Sequence, residues 1–124
     1  MNMETKEGML EYCKKISEKN NWILNKDENT LHELIEGLVE NKKKYGYQSC
    51  PCRLASGNRK LDRDLICPCD YALDNDVKEY GACYCNLYMR SDFYETIGEP
   101  FVLVPEKRPV ENEKAVFEFF NQQK

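Results

Sequence analysis

Six of the seven cysteines in this 124-residue chain form three Cys-x-Cys pairs. The pairs are Cys50-Pro51-Cys52, Cys67-Pro68-Cys69 and Cys83-Tyr84-Cys85. Thiolates bind soft metals and iron–sulfur clusters, and paired thiols can also exchange with disulfides. The pattern therefore predicts a metal centre, a redox centre or both between residues 50 and 85.

The number of thiols limits what such a centre can be. Structural zinc sites and cubane iron–sulfur clusters each take four ligands, so two of the six thiols are left over. Two spare thiols beside a one-electron centre form a dithiol/disulfide pair that can exchange electrons with it. Spacing does not identify the spare pair, and two metals or a bridged zinc cluster remain open. We favour iron–sulfur over zinc, and zinc over disulfides alone, because thiols in a cytosolic protein stay reduced.

Composition narrows the classes of function. The net charge is −4, which gives no overall basic field and no support for nucleic-acid binding. The sequence contains no long apolar run, so we expect no membrane-spanning helix. The acidic N-terminus, with Glu4, Glu7 and Glu11, does not resemble a targeting segment. We therefore expect a cytoplasmic protein with one domain over residues 1–124.

Hydrophobic periodicity predicts a mostly helical fold. Apolar residues at helical spacing predict helices over residues 4–19 and 27–44, the second ending at Gly46, and a last helix over residues 111–122. A short helix is expected over residues 60–66, and an extended run over residues 101–104. Residues 22–24 are interpreted as an apolar connector.

The order of the motifs resembles a known family. The run Leu34-Ile35-Glu36-Gly37-Leu38 is followed by Lys42, Gly46 and then Cys50-Pro51-Cys52-Arg53, after which come the second and third cysteine pairs. This arrangement is similar to the catalytic subunit of ferredoxin:thioredoxin reductase over roughly residues 30–92. The chain is identified as a divergent member, of archaeal or anaerobic type.

The resemblance implies a small single-domain helical fold wrapped around a 4Fe-4S cluster. Carried over by position, it assigns the four cluster ligands to Cys50, Cys67, Cys69 and Cys83. It assigns the redox-active disulfide to Cys52 and Cys85, with Cys52 as the nucleophile. Arg53, beside Cys52, either lowers the pKa of that thiol or only faces solvent.

The implied activity is that of a disulfide reductase. A ferredoxin or rubredoxin-like donor gives electrons one at a time through the cluster, and the disulfide passes them to a thioredoxin- or glutaredoxin-like protein. The family pattern also includes a small second subunit. Ferredoxins are usually acidic, so the donor site is expected among the basic residues: Lys42, Lys43, Lys44, Arg59, Lys60 and Arg63.

The sequence departs from the family pattern in ways that keep alternatives open. Tyr84 replaces the family histidine, so a tyrosine hydroxyl can donate a hydrogen bond there but is a poor base at neutral pH. The loops between the pairs have 14 and 13 residues, whereas the plant-type pattern has a longer and then a shorter loop. The alternatives are a non-catalytic zinc-binding interaction module and a one-electron iron–sulfur carrier.

Overall fold

The computed structural model describes residues 2–98, 101–106 and 108–122. Within these residues the chain forms five α-helices and one two-stranded antiparallel sheet, so the predicted mostly helical fold is confirmed. None of the described helices is both long enough and apolar enough to cross a membrane. The expectation of a single domain remains a prediction.

The two long N-terminal helices pack against each other and form much of the core. Helix α1 is Lys6–Lys19 and helix α2 is Glu28–Tyr45, close to their predicted bounds. Asp27 caps α2 by accepting a hydrogen bond from the backbone N–H of Thr30, and Gly46 ends it with a positive φ of 86°. The faces that they bury carry apolar side chains: Met9 and Cys13 from α1, and Leu34, Ile35, Leu38 and Val39 from α2.

A short antiparallel sheet connects the N-terminal half to the third cysteine pair. Strand β1, Trp22–Leu24, pairs with strand β2, Tyr88–Arg90. The interpretation of residues 22–24 as a connector is therefore wrong, because three residues give too short a pattern to reveal a strand. The backbone of residues 81–83 also hydrogen-bonds to β2, which fixes the start of the third pair.

The loop between the first two cysteine pairs is organised by a buried carboxylate. The Asp62 side chain is fully buried and accepts hydrogen bonds from the Ser56 hydroxyl, the Tyr47 hydroxyl and the backbone N–H groups of Ser56 and Gly57. These contacts tie residues 56 and 57 to residue 62, and the helix predicted over residues 60–66 is wrong over most of that range. Only a 3₁₀ turn forms there, at Arg63–Leu65.

The remaining elements follow the second cysteine pair. A π-helical turn at Ala72–Asp76 leads into helix α3, Val77–Tyr80, and helix α4 is Phe93–Thr96. Helix α5, Val110–Gln122, confirms the predicted last helix. Just before α5, Arg108 forms a buried ion pair with Asp64 at 3.0 Å, which ties the C-terminal segment to the 3₁₀ turn.

Candidate redox centre

The structure brings the three cysteine pairs together around one cavity. Five of the six motif cysteines line it, and the other lining residues are apolar or aromatic apart from the tyrosine hydroxyls. Four of these cysteines are buried, Cys85 is half-buried and Cys52, which lies outside the cavity, is exposed. The cavity-lining cysteines are Cys50, Cys67, Cys69, Cys83 and Cys85.

The first pair is positioned by helix α2 and by the second pair. Pro51 lies so close to Gly37 of α2 that a Cβ atom at Gly37 would be only 2.7 Å from the Pro51 Cβ. The backbone N–H of Cys50 donates to the Leu65 carbonyl at 2.8 Å, and that of Cys67 donates to the Gln48 carbonyl at 2.9 Å. Backbone pairing therefore holds the first two motifs side by side.

The second pair is surrounded by polar groups from α1 and β2. The Cys67–Pro68 bond is cis. The Cys67 thiol lies 3.6 Å from the Tyr88 hydroxyl, and the nearby Cys13 thiol and burial both raise the pKa of Cys67. Burial raises the pKa of the Cys69 thiol, and the backbone of Ala72 and Tyr71 offsets part of the rise. Cys13 is buried on the apolar face of α1, and helical spacing does not predict that it lies near Cys67.

The third pair lies in a tight turn. The backbone N–H of Tyr88 donates to the Cys83 sulfur at 3.4 Å, and the backbone N–H of Cys83 donates to the Tyr88 carbonyl at 2.9 Å. Asn86 closes the turn with a positive φ of 61° and donates its backbone N–H to the Cys83 carbonyl at 2.8 Å. This turn directs Cys83 into the cavity and leaves Cys85 at its edge.

Three thiols meet where the cavity approaches the surface. The Cys50 and Cys85 sulfurs are 2.8 Å apart, and the exposed Cys52 lies beside them in a groove that Cys85 also lines. All seven cysteines are free thiols in this structure. Cys85 therefore contacts Cys50 directly and shares a groove with Cys52, and the assignment of Cys52 and Cys85 as the disulfide stays a prediction.

The environment divides these thiols into two electrostatic classes. Interactions with the Cys50 and Cys85 thiols hold the pKa of the Cys52 thiol well below its ordinary value, and the Arg53 guanidinium adds to the shift. The interaction with Cys52 raises the pKa of Cys50, and interactions with Cys50 first and Cys52 second raise the pKa of Cys85. Burial raises the pKa of Cys83 to about 11. The exposed thiol is thus the one that most readily ionises.

Arg53 is buried beside Cys52, so the alternative that it only faces solvent is wrong. Its side chain is 1% exposed, and the guanidinium lies 4.3 Å from the ring centroid of Tyr84 and 4.9 Å from that of Tyr71. Glu106 approaches to 3.5 Å, but no described residue hydrogen-bonds the guanidinium nitrogens. The Tyr84 ring therefore packs on a cation, a role that the sequence pattern did not indicate.

No group of three or more His, Cys, Asp or Glu side chains within the described residues is arranged to hold a single metal ion. In a comparison with protein families, residues 2–115 match the model described as ferredoxin thioredoxin reductase catalytic beta chain. No curated protein sequence matches the chain closely enough to count as a relative.

Proposed function

The chain belongs to the ferredoxin thioredoxin reductase catalytic beta chain family, and from that premise we propose that it is an iron–sulfur disulfide reductase. In this proposal Cys52 and Cys85 form the redox-active pair. Cys50, Cys67, Cys69 and Cys83 hold a 4Fe-4S cluster. The electron donor is a ferredoxin or a similar carrier, and the acceptor is a thioredoxin- or glutaredoxin-like protein. A catalytic beta chain implies a partner subunit, so the proposal includes one.

One observation carries the proposal. The exposed thiol of Cys52 and the half-buried thiol of Cys85 line one groove, at the edge of a cavity lined by four buried thiols. A nucleophile has to reach a partner protein, whereas cluster ligands have to be shielded from water and oxidants. The gradient of exposure therefore favours Cys52 as the attacking thiol and the buried four as ligands.

The donor groups around the cavity fit a cubane cluster. Four thiols are the ligand set that such a cluster takes. The backbone N–H of Tyr88 donates to the sulfur of Cys83, and hydrogen bonds of this kind tune cluster potentials. The raised pKa values of the buried thiols mean that loading must release protons, because the ligands bind as thiolates. When bound, the cluster supplies single electrons to the adjacent disulfide.

The thiol chemistry balances with two electrons and two protons per cycle. Reduction of the Cys52–Cys85 disulfide consumes two electrons and gives two thiols. The Cys52 thiolate then attacks the acceptor disulfide, so that one S–S bond forms, one breaks and the acceptor's other sulfur leaves as a thiol. Cys85 attacks the Cys52 sulfur of this mixed disulfide, which releases the reduced acceptor and restores the disulfide.

The direction of electron flow is favourable for these partners. A plant-type ferredoxin at about −400 mV reducing a thioredoxin at about −270 mV gains about 130 mV. For a two-electron reaction this is roughly 6 kcal/mol. The overall reaction therefore needs no further energy source.

A basic surface beside the second cysteine pair supports docking of an acidic donor. Arg59, Lys60 and Arg63 line one hollow with Ile66, the residue before Cys67. Lys44 lies close to the same surface. Its ammonium group lies over the Tyr45 ring, and that ring stacks on the Tyr47 ring. The Arg59 guanidinium lies over Tyr47. We call the exposed residues Lys44, Arg59, Lys60 and Arg63 the basic face. Lys43 instead lies among Glu4, Glu36 and Glu40, so it is not included.

Serine substitutions in the first pair test the proposal, because Cys50 contacts Cys85 and Cys52 shares a groove with it. We expect Cys52→Ser to retain the cluster and to lose turnover of a protein disulfide, since only the nucleophile is removed. We expect Cys50→Ser to lose the cluster, since a ligand is removed. Iron content, visible absorption and reduction of oxidised thioredoxin are measured on protein purified without oxygen. The reverse outcome, with iron lost only in Cys52→Ser, would show that the two roles are exchanged.

A further inference from the structure

Residues 101–104 form an extended edge next to the redox-active thiols. Exposure alternates along this segment: Phe101 and Leu103 are 61% and 86% exposed, whereas Val102 is partly buried and Val104 is buried. A period of two is typical of an extended chain with one face against the core. The outer face therefore presents two large apolar side chains that the fold does not use.

One side of this backbone is already occupied by an asparagine. The buried Asn86 side chain accepts a hydrogen bond from the Val102 N–H at 2.8 Å and donates one to the Val102 carbonyl at 2.9 Å. The amide thus takes the place of a neighbouring strand and joins the segment to the Cys83–Asn86 turn. Backbone groups of successive residues in an extended chain point to opposite sides, so those of Leu103 point away from Asn86.

The free side of the segment carries unpaired backbone groups. Within residues 2–98, 101–106 and 108–122, nothing hydrogen-bonds the backbone N–H or carbonyl of Leu103. An exposed edge of this kind pairs readily with another extended chain. Charged side chains, which usually protect such an edge, are absent from residues 101–104.

The groove beside this edge contains the proposed reaction centre. Its lining includes Cys52 and Cys85 together with Tyr84, Phe101 and Leu103. An acceptor disulfide must bring one sulfur within bonding distance of the Cys52 sulfur, so the chain that carries it has to cross this groove. The surface that it meets there is mostly apolar, with Asp27 and Thr30 also in the lining, and it offers free backbone hydrogen-bonding groups at Leu103.

We propose that residues 101–104 recognise the acceptor by β-strand pairing. The occupant is an extended stretch of the acceptor protein that lies beside its disulfide, with apolar side chains packed on Phe101 and Leu103. This pairing holds one acceptor sulfur against Cys52, which forms the new S–S bond while the other acceptor sulfur leaves as a thiol. The inference rests on the proposed function, since it assumes that Cys52 attacks a protein disulfide.

Variants of Leu103 test this proposal. Leu103→Pro removes the free N–H and keeps an extended backbone, because proline also favours extended geometry in the residue before it. Leu103→Ala keeps the N–H and removes the side chain. Phe117→Ala, on α5 and 64% exposed, is the matched control for loss of an exposed apolar side chain. Each is assayed with oxidised thioredoxin and with dithiodipyridine, a small disulfide that needs no docking surface.

The measured quantity is the ratio of kcat/KM for thioredoxin to kcat/KM for dithiodipyridine. We expect Leu103→Pro to lower it about tenfold, the effect of one lost hydrogen bond and its desolvation. Leu103→Ala lowers it less, and Phe117→Ala leaves it unchanged.

An unchanged ratio in Leu103→Pro overturns the inference and leaves the proposed function intact. The oligomeric state gives a second possible outcome. If the wild type is a dimer, Leu103→Pro is a monomer and the ratio is unchanged, the edge pairs with a second copy of this chain, and the inference is again overturned. If the wild type reduces neither disulfide, the proposed function itself fails.

Discussion

Arg53 is the residue whose surroundings say most about the reaction centre. A guanidinium with 1% side-chain exposure and no hydrogen-bond partner among the described residues is costly to bury. The Glu106 carboxylate at 3.5 Å and the faces of Tyr71 and Tyr84 offset part of that cost, through an ion pair and cation–π contact. We infer that the charge is kept there for its effect on the neighbouring Cys52.

Replacing Arg53 should change the acidity of Cys52. We expect Arg53→Gln to raise the pKa of Cys52, because a positive charge that favours the thiolate is removed. The rate of Cys52 alkylation by iodoacetamide, measured against pH on the reduced protein, should rise at higher pH than in the wild type.

Two further variants separate charge from packing. Arg53→Lys keeps the charge but loses the planar stack, so its profile should shift less. Tyr84→Phe keeps the ring over the guanidinium and should leave the profile in place, since the Tyr84 hydroxyl hydrogen-bonds no described residue. Overlapping profiles for Arg53→Gln and the wild type would contradict this role of Arg53.

At this scale the sequence predicts residue types better than residue roles. The three Cys-x-Cys pairs are visible at once, because their spacing is unusual. The burial of Arg53 is not, because an arginine in a loop is usually exposed and its stacking partners are 18 and 31 residues away in sequence. The proximity of Cys13 to Cys67 depends in the same way on how α1 packs.

At the scale of elements, helix α2 forms the platform for the first cysteine pair. Its predicted bounds agree with the structure because its apolar stripe and its C-terminal Gly46 indicate the same helix, and in the structure Asp27 caps its start. Gly37 in its middle lowers helix propensity. The close approach of Pro51 gives the physical reason, since a larger residue would displace the Cys-Pro-Cys turn.

Gly37→Ala tests this contact. On a free helix surface the change would stabilise the protein by about 1 kcal/mol. Here the added methyl group meets Pro51 at 2.7 Å, so we expect no gain in Tm and a loss of cluster content or of turnover. Glu33→Ala, at an exposed position of the same helix, is the control and should retain both. A stabilised Gly37→Ala protein with full turnover would contradict the platform role.

The elements that sequence patterns do not predict are short and depend on distant contacts. Strand β1 has three residues and exists because β2, far along the chain, pairs with it. The region of residues 60–66 has an apolar pattern suited to a helix. The buried Asp62 carboxylate instead accepts hydrogen bonds from Ser56 and Gly57, and these bonds compete with helix formation. Both outcomes are set by tertiary contacts.

At the scale of the whole molecule, two surfaces serve the two proposed partners. The basic-face hollow around Arg59, Lys60 and Arg63 lies next to the second cysteine pair, and the groove of residues 101–104 lies next to Cys52 and Cys85. The two sets of lining residues do not overlap. Donor and acceptor recognition should therefore respond separately to mutation.

Charge reversal on the basic face tests the donor side. We expect Arg59→Glu with Arg63→Glu to slow reduction by ferredoxin several-fold at low salt, with little difference at high salt, because screening weakens electrostatic steering. The control is Lys19→Glu with Lys43→Glu, which changes the net charge equally at exposed sites outside the basic face. Equal slowing in both pairs, or none in either, would remove the basic face from the donor site.

The most direct test of the central claim is the amount of iron and acid-labile sulfide per chain in protein purified without oxygen. The proposed ligand set predicts about four of each, because a cubane cluster contains four irons and four sulfides. The same sample should retain two motif thiols, Cys52 and Cys85, outside the cluster. Zinc with no sulfide would contradict the account and make the three cysteine pairs a structural metal site.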